Sequence, residues 1–418
     1  MSDTHLEISL DGRSIKGPIY LDGSKSISNR ALIIQALTED PKPIHHLSTS
    51  DDTQALQRIL NSEGDVYDTG AAGTTFRFLT AFLAVSGKSC TLTGSERMKQ
   101  RPIGELVSAL RTLGANISYL EKEGYPPLRF EPSTLSGRNE LRIASHISSQ
   151  FISALLLIAP TLPQGLTLHL EGDMVSRSYI ELTLQIMKTY GINYQWNGNL
   201  ITIAPQPYQA QEFKVESDWS AASYYYGIAA LVDDAELQLW GLSPGSFQGD
   251  AIVADLYEAF GVHTTYQDGR ITLKKSGSHV PEVFEHNFIL CPDIAQTMAV
   301  TCGALGTRGI FSGLQTLSIK ETDRIGALRT ELGKLGVKFE KMEIDQASSN
   351  TGESHVVSGQ ARFPDEISFS TYEDHRMAMA FAPLAVLHPV RIEEPEVVSK
   401  SYPDFWVDLE RLGFIIRR

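Results

Sequence analysis

Basic residues recur at or beside predicted helix starts in a chain that is strongly acidic overall. The formal net charge is -14 at pH 7, so these lysines and arginines form local exceptions. The unpaired N–H groups of a helix start favour an anion, and a basic side chain beside them adds a full opposite charge. The pattern predicts sites for phosphate or carboxylate groups at Lys25, Arg30, Arg101, Lys320, Arg324, Arg376 and Lys400.

Two carboxylates accompany these cations. Asp293 follows Pro292 and precedes an uncharged helical pattern over residues 294–304, and Glu321 comes directly after Lys320. A pair of carboxyl groups beside bound anions suits general acid and base catalysis. A capping role for Asp293, or ordinary ion pairs on an exposed helix that begins at Lys320, explains the same residues without catalysis.

Small and polar residues complete the candidate sites. The run from Gly70 to Thr74 has little side-chain bulk, so Gly73 within it lets a ligand approach the backbone. Tight turns and helix N-caps account for the same residue types, and both interpretations stay open at this level. Hydroxyl and amide donors that fit a polyol or a phosphate are Ser26, Ser148, Ser149, Gln150 and Ser176.

The elements that position these residues recur along the chain. Turns of small, polar or charged residues lead into helical patterns at Gly23, Gly70, Ser148, Asp218, Pro292 and Asp374, and the helix that follows Gly23 is predicted over residues 31–37, after Arg30. The last four turns are about 70 to 80 residues apart, close to the length of one βαβαββ unit. Alternating strand patterns lie between them, for example over residues 166–170 and 270–273. The sequence predicts repeated α/β units in two domains, with crossings near residues 21–22 and 216–218, and one large α/β domain is the alternative.

Length and composition limit the classes of protein that fit. A chain of 418 residues with 42% hydrophobic residues exceeds one ordinary core. The acidic charge argues against nucleic acid or acidic membranes as partners, because both need a basic face. Cys90, Cys291 and Cys302 lack metal or disulfide spacing and are predicted to be buried thiols, and the first residues lack a signal-peptide pattern. We expect a cytoplasmic protein without a bound metal.

Several motifs, taken in order, resemble one enzyme family over essentially the whole chain. The most specific are GSKSISNRAL at Gly23, AGTTFRFL at Ala72, RPIG at Arg101, SSQF at Ser148, PDIAQTMA at Pro292, KETDRI at Lys320, DHRMAMAF at Asp374 and KSYPDF at Lys400. Together they resemble the 5-enolpyruvylshikimate-3-phosphate synthases, also called 3-phosphoshikimate 1-carboxyvinyltransferases, of the bacterial shikimate pathway.

The resemblance implies an α/β fold, a two-domain inside-out α/β barrel with three βαβαββ repeats in each domain and the active site in the interdomain cleft. Residues 1–21 and 218–418 would form a discontinuous domain with the phosphoenolpyruvate clamp and the acid/base residues. Residues 22–217 would form an inserted domain that binds shikimate 3-phosphate. The implied reaction transfers the enolpyruvyl group of phosphoenolpyruvate to the 5-hydroxyl of shikimate 3-phosphate and releases phosphate, in a monomer that needs no cofactor.

The resemblance also implies which residues contact each substrate. Shikimate 3-phosphate would be held by Lys25, Ser26, Arg30, Ser148, Ser149, Gln150, Ser176, Asp293, Thr316 and Lys320. Phosphoenolpyruvate would contact Lys25, Gly73, Arg101, Gln150, Arg324, Arg376 and Lys400. The catalytic residues would be Lys25, Asp293 as acceptor of the hydroxyl proton, and Glu321 as donor of a proton to the methylene carbon.

Two positions depart from the family pattern. Ala71 and Thr316 occupy places where many members carry Asn, in the second case at a contact to the shikimate phosphate. Gly73 leaves space beside phosphoenolpyruvate, so the resemblance predicts that glyphosate competes with that substrate.

The sequence leaves two alternatives to this activity. The UDP-N-acetylglucosamine enolpyruvyl transferases share the fold and the donor, but they carry a cysteine in the loop before the position of Arg101, and residues 95–100 contain none. A non-catalytic sensor of phosphorylated metabolites would need the cations but not the proton carriers Asp293 and Glu321.

Overall fold

The computed structural model describes residues 5–135, 138–144, 149–172, 174, 177–277, 280–319, 322–342 and 353–418. The chain divides into two compact units. The discontinuous unit comprises Met1–Asp22 and Ser217–Arg418, and the inserted unit comprises Gly23–Glu216. Each unit has its own cluster of buried apolar side chains, so each has a core that can order the elements around it.

The strands are short. They are β1 (His5–Leu10), β2 (Ser14–Tyr20), β3 (Ile44–His45), β4 (Val66–Asp68), β5 (Cys90–Thr93), β6 (Asn116–Tyr119), β7 (Leu128–Glu131), β8 (Glu140–Ala144), β9 (Leu166–Glu171), β10 (Gln195–Asn197), β11 (Leu200–Ile203), β12 (Phe213–Lys214), β13 (Asp234–Trp240), β14 (Val262–Gln267), β15 (Arg270–Ser276), β16 (Val283–Asn287), β17 (Arg308–Ser312), β18 (Lys338–Lys341), β19 (Ser354–Ser358), β20 (Ser368–Phe369), β21 (Val390–Glu393) and β22 (Phe414–Arg417).

Helices alternate with these strands. The α-helices are α1 (Lys25–Ala36), α2 (Asp51–Leu60), α3 (Gly73–Val85), α4 (Glu96–Lys99), α5 (Gly104–Thr112), α6 (Ser149–Ile158), α7 (Arg177–Thr189), α8 (Trp219–Leu231), α9 (Val253–Leu256), α10 (Ala295–Leu305), α11 (Arg324–Gly333), α12 (His375–Phe381) and α13 (Phe405–Arg411). Short 3-10 helices are Ala159–Thr161, Gly249–Ile252, Tyr257–Phe260, Phe288–Leu290, Pro292–Ile294, Leu317–Ile319, Ala382–Val386 and Pro395–Lys400.

Each four-stranded sheet repeats one order and one set of directions. In β4-β5-β7-β6 the first pair is parallel and the following two pairs are antiparallel. α3 joins the parallel pair, which needs a crossover connection, and α5 precedes the antiparallel hairpin. One copy is therefore a βαβαββ unit. The same order is found in β8-β9-β11-β10, β16-β17-β19-β18, β2-β13-β15-β14 and β20-β21-β1-β22.

The first strands of the chain complete two sheets of the discontinuous unit. β2 pairs in parallel with β13, and β1 lies between β21 and β22. Both pairings join residues that precede the inserted unit to residues that follow it, so this unit needs both parts of the chain. In the inserted unit, β3 and β12 form a parallel two-stranded sheet from its early and late parts.

The first helix of each copy is the one that the sequence marks with a turn of small or polar residues. These helices are α3, α6, α8, α10 and α12, and α1 is the corresponding helix beside the two-stranded sheet of β3 and β12. Nearly every residue of α8 and of α10 is buried, which requires apolar or small side chains on all sides of the helix. A second helix such as α2 keeps an exposed polar face. Five of the six predicted helix starts thus correspond to one helix in each four-stranded copy, and the sixth leads to α1.

Two helix starts differ from the sequence prediction. α1 begins at Lys25 and not at residue 31, so Lys25, Ser26 and Arg30 lie on the helix itself. The polar residues of its first turns are tolerated because tertiary partners satisfy them; the Ser28 hydroxyl, for example, accepts the Ser48 N–H at 2.9 Å.

The second difference concerns α11. This helix begins at Arg324, and the Asp323 side chain caps it by accepting the Gly326 N–H at 3.2 Å. The interpretation in which an exposed helix begins at Lys320 is therefore wrong. Arg324 is the first helical residue, and its side chain is buried.

The described ranges bear on two structural patterns, a membrane-spanning helix and a cluster of metal-ligating side chains. Within them, every helix is too short or too polar to cross a membrane, and no three His, Cys, Asp or Glu side chains are grouped to hold a metal ion. Cys90, Cys291 and Cys302 are free, buried thiols, as the sequence predicts.

Candidate active site

Lys25 faces a buried carboxylate at the start of α1. Its Nζ lies 3.7 Å from Oδ2 of Asp52, which belongs to the first turn of α2. The backbone of Asp52 is fixed in turn, because its carbonyl accepts the Thr75 hydroxyl of α3 at 2.6 Å. The ammonium group is thereby held near two helix N-termini, a location that favours a bound anion.

Arg30 is buried among neutral partners. Its Nε donates to the Thr183 hydroxyl at 2.7 Å, and Nη1 donates to the Ser26 carbonyl at 2.8 Å. Nη2 donates to Ser153 Oγ at 3.1 Å and to the Tyr179 carbonyl at 3.3 Å. Burial lowers the pKa of this guanidinium to about 10, so it stays charged at neutral pH. No carboxylate of the described ranges pairs with it, so an anion near this helix would gain from its charge.

Gly73 brings the start of α3 against two guanidinium groups. A Cβ at this position would clash with Nη1 of Arg101 and would lie 3.1 Å from Nη1 of Arg77. Arg77 is buried, and its Nη1 donates to the Gly73 carbonyl at 2.8 Å. Across the described residues, the Arg101 guanidinium forms neither a hydrogen bond nor an ion pair. A side chain at this position would therefore displace the Arg101 guanidinium.

Other predicted donors of the inserted unit lie at helix starts. Ser26 is half-buried in the first turn of α1, and Ser149 and Gln150 are the first two residues of α6. Gln150 Nε2 donates to the Thr74 hydroxyl at 3.1 Å, which ties the start of α6 to the start of α3. The donors are therefore positioned by the starts of α1 and α6, and α6 is tied in turn to α3.

In the discontinuous unit, Asp293, Arg324, Asp374 and Arg376 form a buried ion-pair network, here called the aspartate–arginine cluster. Arg324 Nε donates to Oδ2 of Asp374 at 2.7 Å, and its Nη1 donates to Oδ1 of Asp293 at 3.0 Å. Arg376 Nη2 lies 3.3 Å from Oδ2 of Asp293. Only 1% of the Arg324 side chain and 9% of the Asp293 side chain are exposed, so these charges depend on one another for compensation.

The residues of this cluster lie at or next to the starts of three helices. Asp374 is the N-cap of α12, and its Oδ1 accepts the Arg376 N–H at 2.8 Å. Arg324 opens α11, and Asp293 lies in the 3-10 turn that precedes α10. The N-cap of α10 is Ile294, so the capping interpretation of Asp293 is wrong. Its carboxylate is turned to the arginines instead.

Arg376 also contacts α8. Its Nη1 is 3.4 Å from the Tyr224 hydroxyl, and its Nη2 is 3.4 Å from Ser220 Oγ. Burial raises the pKa of Tyr224 to about 12, so this hydroxyl remains neutral at physiological pH. The guanidinium therefore links Asp293 to neutral groups of a second helix.

A strained turn precedes Asp374. Tyr372 and Glu373 have φ values of 55° and 56°, in the left-handed region that costs a non-glycine residue about 1–2 kcal/mol. The Tyr372 hydroxyl donates at 2.6 Å to Glu331, a buried residue of α11 that also accepts the Ser370 N–H at 3.2 Å. α11, which begins with Arg324 of the cluster, therefore also holds this turn in place. A strained backbone conformation persists where surrounding contacts of this kind enforce it.

We expect Tyr372→Phe to lower the free energy of unfolding by about 1–3 kcal/mol, because the buried Glu331 carboxylate loses a hydrogen-bond donor. Urea unfolding followed by tryptophan fluorescence measures the loss. Tyr20→Phe is the matched control, since Tyr20 is 66% exposed and keeps its ring stacked on Trp240. Equal stability of both variants would contradict a structural role for the Tyr372 hydroxyl.

Thr316 and Lys400 are further predicted residues of this unit. Thr316 Oγ1 is buried and lacks a hydrogen-bond partner in the part of the chain that is described. A polar group of a ligand would satisfy it, because a buried hydroxyl without a partner is costly. Lys400 is half-buried at the end of the 3-10 helix Pro395–Lys400. The predicted residues that lie outside the described ranges are Ser148, Ser176, Lys320 and Glu321.

Three charged residues of these sites are missing from the sequence prediction. Arg77 lies one helical turn after Gly73, so the i, i+4 spacing on α3 is a usable signal. Asp374 precedes a helical pattern, which is the preferred place for an aspartate cap. Asp52 shows no comparable signal, since its pairing with Lys25 joins two different helices.

The fold and the sites define a class of protein, namely enzymes of two α/β units built from βαβαββ copies with arginines and carboxylates at helix starts. EPSP synthase from Acinetobacter baumannii has the same fold, with a TM-score of 0.81 at 19% identity, and the match covers 99% of this chain and 100% of that chain. A family model described as EPSP synthase (3-phosphoshikimate 1-carboxyvinyltransferase) matches residues 55–409. The chain belongs to the EPSP synthase family.

Curated relatives agree with this membership. A 3-phosphoshikimate 1-carboxyvinyltransferase from Bacteroides fragilis (strain YCH46) is 50% identical over 405 residues, which cover 96% of this chain and 97% of that protein. The protein of the same name from Sulfurovum sp. (strain NBC37-1) is 37% identical over 438 aligned residues, with the same coverage of both chains. The resemblance inferred from the motifs is thereby confirmed.

Proposed function

We propose that this enzyme transfers the enolpyruvyl group of phosphoenolpyruvate to the 5-hydroxyl of shikimate 3-phosphate, giving 5-enolpyruvylshikimate 3-phosphate and phosphate. The step leads to chorismate and the aromatic amino acids. Besides family membership, the observation that carries the proposal is the aspartate–arginine cluster, which places a carboxylate against two guanidinium groups. The reaction needs that combination, because anionic substrates must be held beside a proton acceptor.

Shikimate 3-phosphate is assigned mainly to the inserted unit. Lys25 supplies a charge at the start of α1, and the buried Arg30 adds to the positive potential of the same helix. Thr316 offers a hydroxyl that a phosphate oxygen would satisfy. The full proposed set is Lys25, Ser26, Arg30, Ser148, Ser149, Gln150, Ser176, Asp293, Thr316 and Lys320.

Phosphoenolpyruvate is assigned to the cations that accompany Gly73 and the aspartate–arginine cluster. A phosphate carries close to two negative charges at pH 7, and the carboxylate adds a third, so several fixed cations offset the repulsion between the two substrates. Arg376 lies 3.3 Å from Asp293 and 3.4 Å from the Tyr224 hydroxyl, so it brings a positive charge next to the proposed proton acceptor. The proposed set is Lys25, Gly73, Arg101, Gln150, Arg324, Arg376 and Lys400.

The proposed chemistry is an addition followed by an elimination. Glu321 gives a proton to the methylene carbon of phosphoenolpyruvate, and the substrate hydroxyl attacks the resulting cationic carbon. Asp293 accepts the hydroxyl proton, which yields a tetrahedral intermediate. In the elimination, the Glu321 carboxylate takes back a proton from the methyl group, the carbon–oxygen bond to phosphate breaks as the double bond forms, and Asp293 returns its proton to the departing phosphate. Proton transfers by carboxyl groups account for every step.

A phosphate-release assay tests the activity. Phosphate should appear with phosphoenolpyruvate and shikimate 3-phosphate together and not with either alone. Replacing shikimate 3-phosphate by UDP-N-acetylglucosamine should give none, and release with that acceptor instead would favour the alternative transferase.

Two further expectations have their own tests. Light scattering of the purified protein tests whether it is a monomer, and cell fractionation tests whether it is cytoplasmic.

We expect Gly73→Ala to raise the KM for phosphoenolpyruvate by about tenfold, because its Cβ would push the Arg101 guanidinium out of place. Inhibition by glyphosate should weaken by a larger factor, since the added methyl group leaves less room for a bulkier analogue. Initial rates at saturating shikimate 3-phosphate measure both constants. Gly64→Ala is the matched control, because a Cβ there meets nothing within 4 Å. Unchanged constants in Gly73→Ala would remove Arg101 from the donor site.

A further inference from the structure

Asp250 occupies a segment of its copy that carries candidate site residues in other copies. It lies between β13 and α9, the second strand and the second helix of that copy. In other copies, the segment between the second strand and the second helix, or the first residue of that helix, is occupied by a candidate site residue. These residues are Arg101 before α5, Arg324 at the start of α11 and Lys400 before α13. Asp250 therefore occupies, within its own copy, the position that carries a candidate site residue in the others, and it is not among the residues predicted from the sequence.

Local contacts fix Asp250 against the first turn of α8. The Gln248 side chain donates to the Ser217 carbonyl at 2.8 Å and so holds the segment that leads to Asp250. The Ser220 hydroxyl donates to Oδ2 of Asp250 and accepts from Arg376 Nη2 at 3.4 Å. Asp250 itself is buried. One hydroxyl therefore connects this carboxyl to a guanidinium of the aspartate–arginine cluster.

The charged groups around Asp250 come from three elements packed against it. Asp218 caps α8, Asp293 precedes α10, and Arg376 lies on α12. The thiol of Cys291 is also close, and burial raises its pKa far above neutrality, so it stays uncharged. Among these described neighbours of Asp250, two are acidic and one is basic.

These surroundings make the charge of Asp250 change near neutral pH. Burial, and next the negative charge of Asp293, raise the pKa of Asp250 to about 7. Arg376 and the Ser220 hydroxyl act in the opposite direction. Because the two arginines of the cluster already balance two aspartates, ionised Asp250 adds a negative charge beside them.

We infer that Asp250 is a positioning residue for the anionic donor substrate, which binds well when this carboxyl is neutral and poorly when it is ionised. The ionised form attracts Arg376 through Ser220 and repels the incoming phosphate and carboxylate. The inference rests on the proposed function, because it takes Arg376 as a ligand of phosphoenolpyruvate. It goes further by making affinity for that substrate depend on a residue that does not touch it.

The test compares the KM for phosphoenolpyruvate of wild type and Asp250→Asn at saturating shikimate 3-phosphate, between about pH 5.5 and 8.5. At each pH the KM of wild type is divided by the KM of Asp250→Asn, which cancels the titration of the substrate itself. The ratio should stay near one at the acid end and rise about fivefold to tenfold as the pH passes 7, since only wild type gains the charge. The ratio of kcat values should stay flat.

Two further variants separate charge from folding. Ser220→Ala keeps the carboxyl but removes a hydrogen bond that favours its ionised form, so the rise should move to higher pH and not disappear. Asp408→Asn replaces another buried carboxyl whose pKa burial raises, bonded to Tyr402 and Arg411, and it should follow wild type.

Stability provides a readout that does not involve substrate. A pKa raised on folding adds stability that is present below about pH 4 and is lost as the pH rises through 7, so wild type should lose stability over that range relative to Asp250→Asn. Identical pH profiles of KM in wild type and Asp250→Asn would overturn the inference. No phosphate release by wild type would instead overturn the proposed function, whereas an unchanged KM in Arg376→Lys would overturn the inference by removing Arg376 from the phosphoenolpyruvate site.

Discussion

We expect Asp293→Asn to lower kcat for phosphate release by about a hundredfold or more, the usual contribution of a positioned acid or base. An amide cannot take up the hydroxyl proton. Its oxygen can still accept from Arg324 at the place of Oδ1, which is 3.0 Å from Nη1, so the fold should be retained. Initial rates with both substrates saturating measure the effect, and circular dichroism checks the fold.

The matched control is Asp255→Asn, an exposed aspartate of the same unit on α9 that should keep the wild-type rate. Glu321→Gln extends the test to the proposed proton donor and should show a loss of the same order. Full activity of both Asp293→Asn and Glu321→Gln would favour the non-catalytic sensor, which needs cations but no proton carriers.

The largest loss of stability should follow Arg324→Met. This change leaves Asp293 and Asp374 without the guanidinium that bonds both of them, and breaking a buried ion pair on one side costs about 3–5 kcal/mol. Denaturant unfolding followed by tryptophan fluorescence suits the measurement, because Trp219, Trp240 and Trp406 belong to the discontinuous unit.

An exposed ion pair of the same unit provides the control. Lys274 Nζ lies 3.3 Å from Glu236, with about half of each side chain in solvent, so Lys274→Met should cost less than about 1 kcal/mol. The double variant Arg324→Met with Asp374→Asn should be more stable than Arg324→Met alone, because it removes one of the uncompensated charges. Equal losses in Arg324→Met and Lys274→Met would show that the cluster is not the stabilising network described here.

Most of the basic residues of the sites could be predicted from the sequence, but their pairing with particular carboxylates could not. Basic residues at helix starts are visible as local patterns, and Arg324 and Arg376 were selected in this way. The pattern predicts that these cations bind a substrate anion. In the structure, Arg324 instead bonds to Asp293 and Asp374, which lie 31 and 50 residues away in the chain. Distances of this kind depend on how copies of the repeat pack together, which no local window contains.

Helix boundaries show the same limit. The start of α1 contains three polar residues ahead of Arg30, two serines and an asparagine, whose intrinsic helix propensity is low. The sequence therefore predicts a helix that begins at residue 31, whereas α1 begins at Lys25. Partners on other elements satisfy these residues, as when Thr183 accepts from Arg30. Tertiary contacts therefore overrode the propensity.

The sequence by itself determined the repeated α/β architecture, the family and the candidate residue types, because periodicity, turn chemistry and motif order are local properties. Tertiary structure decided which charges meet. It paired Lys25 with Asp52, set Gly73 against Arg77 and Arg101, and connected Asp250 to Arg376 through one serine hydroxyl. The physical reason is that Coulomb and hydrogen-bond energies depend on separations of a few ångströms between groups that lie tens to hundreds of residues apart in the chain.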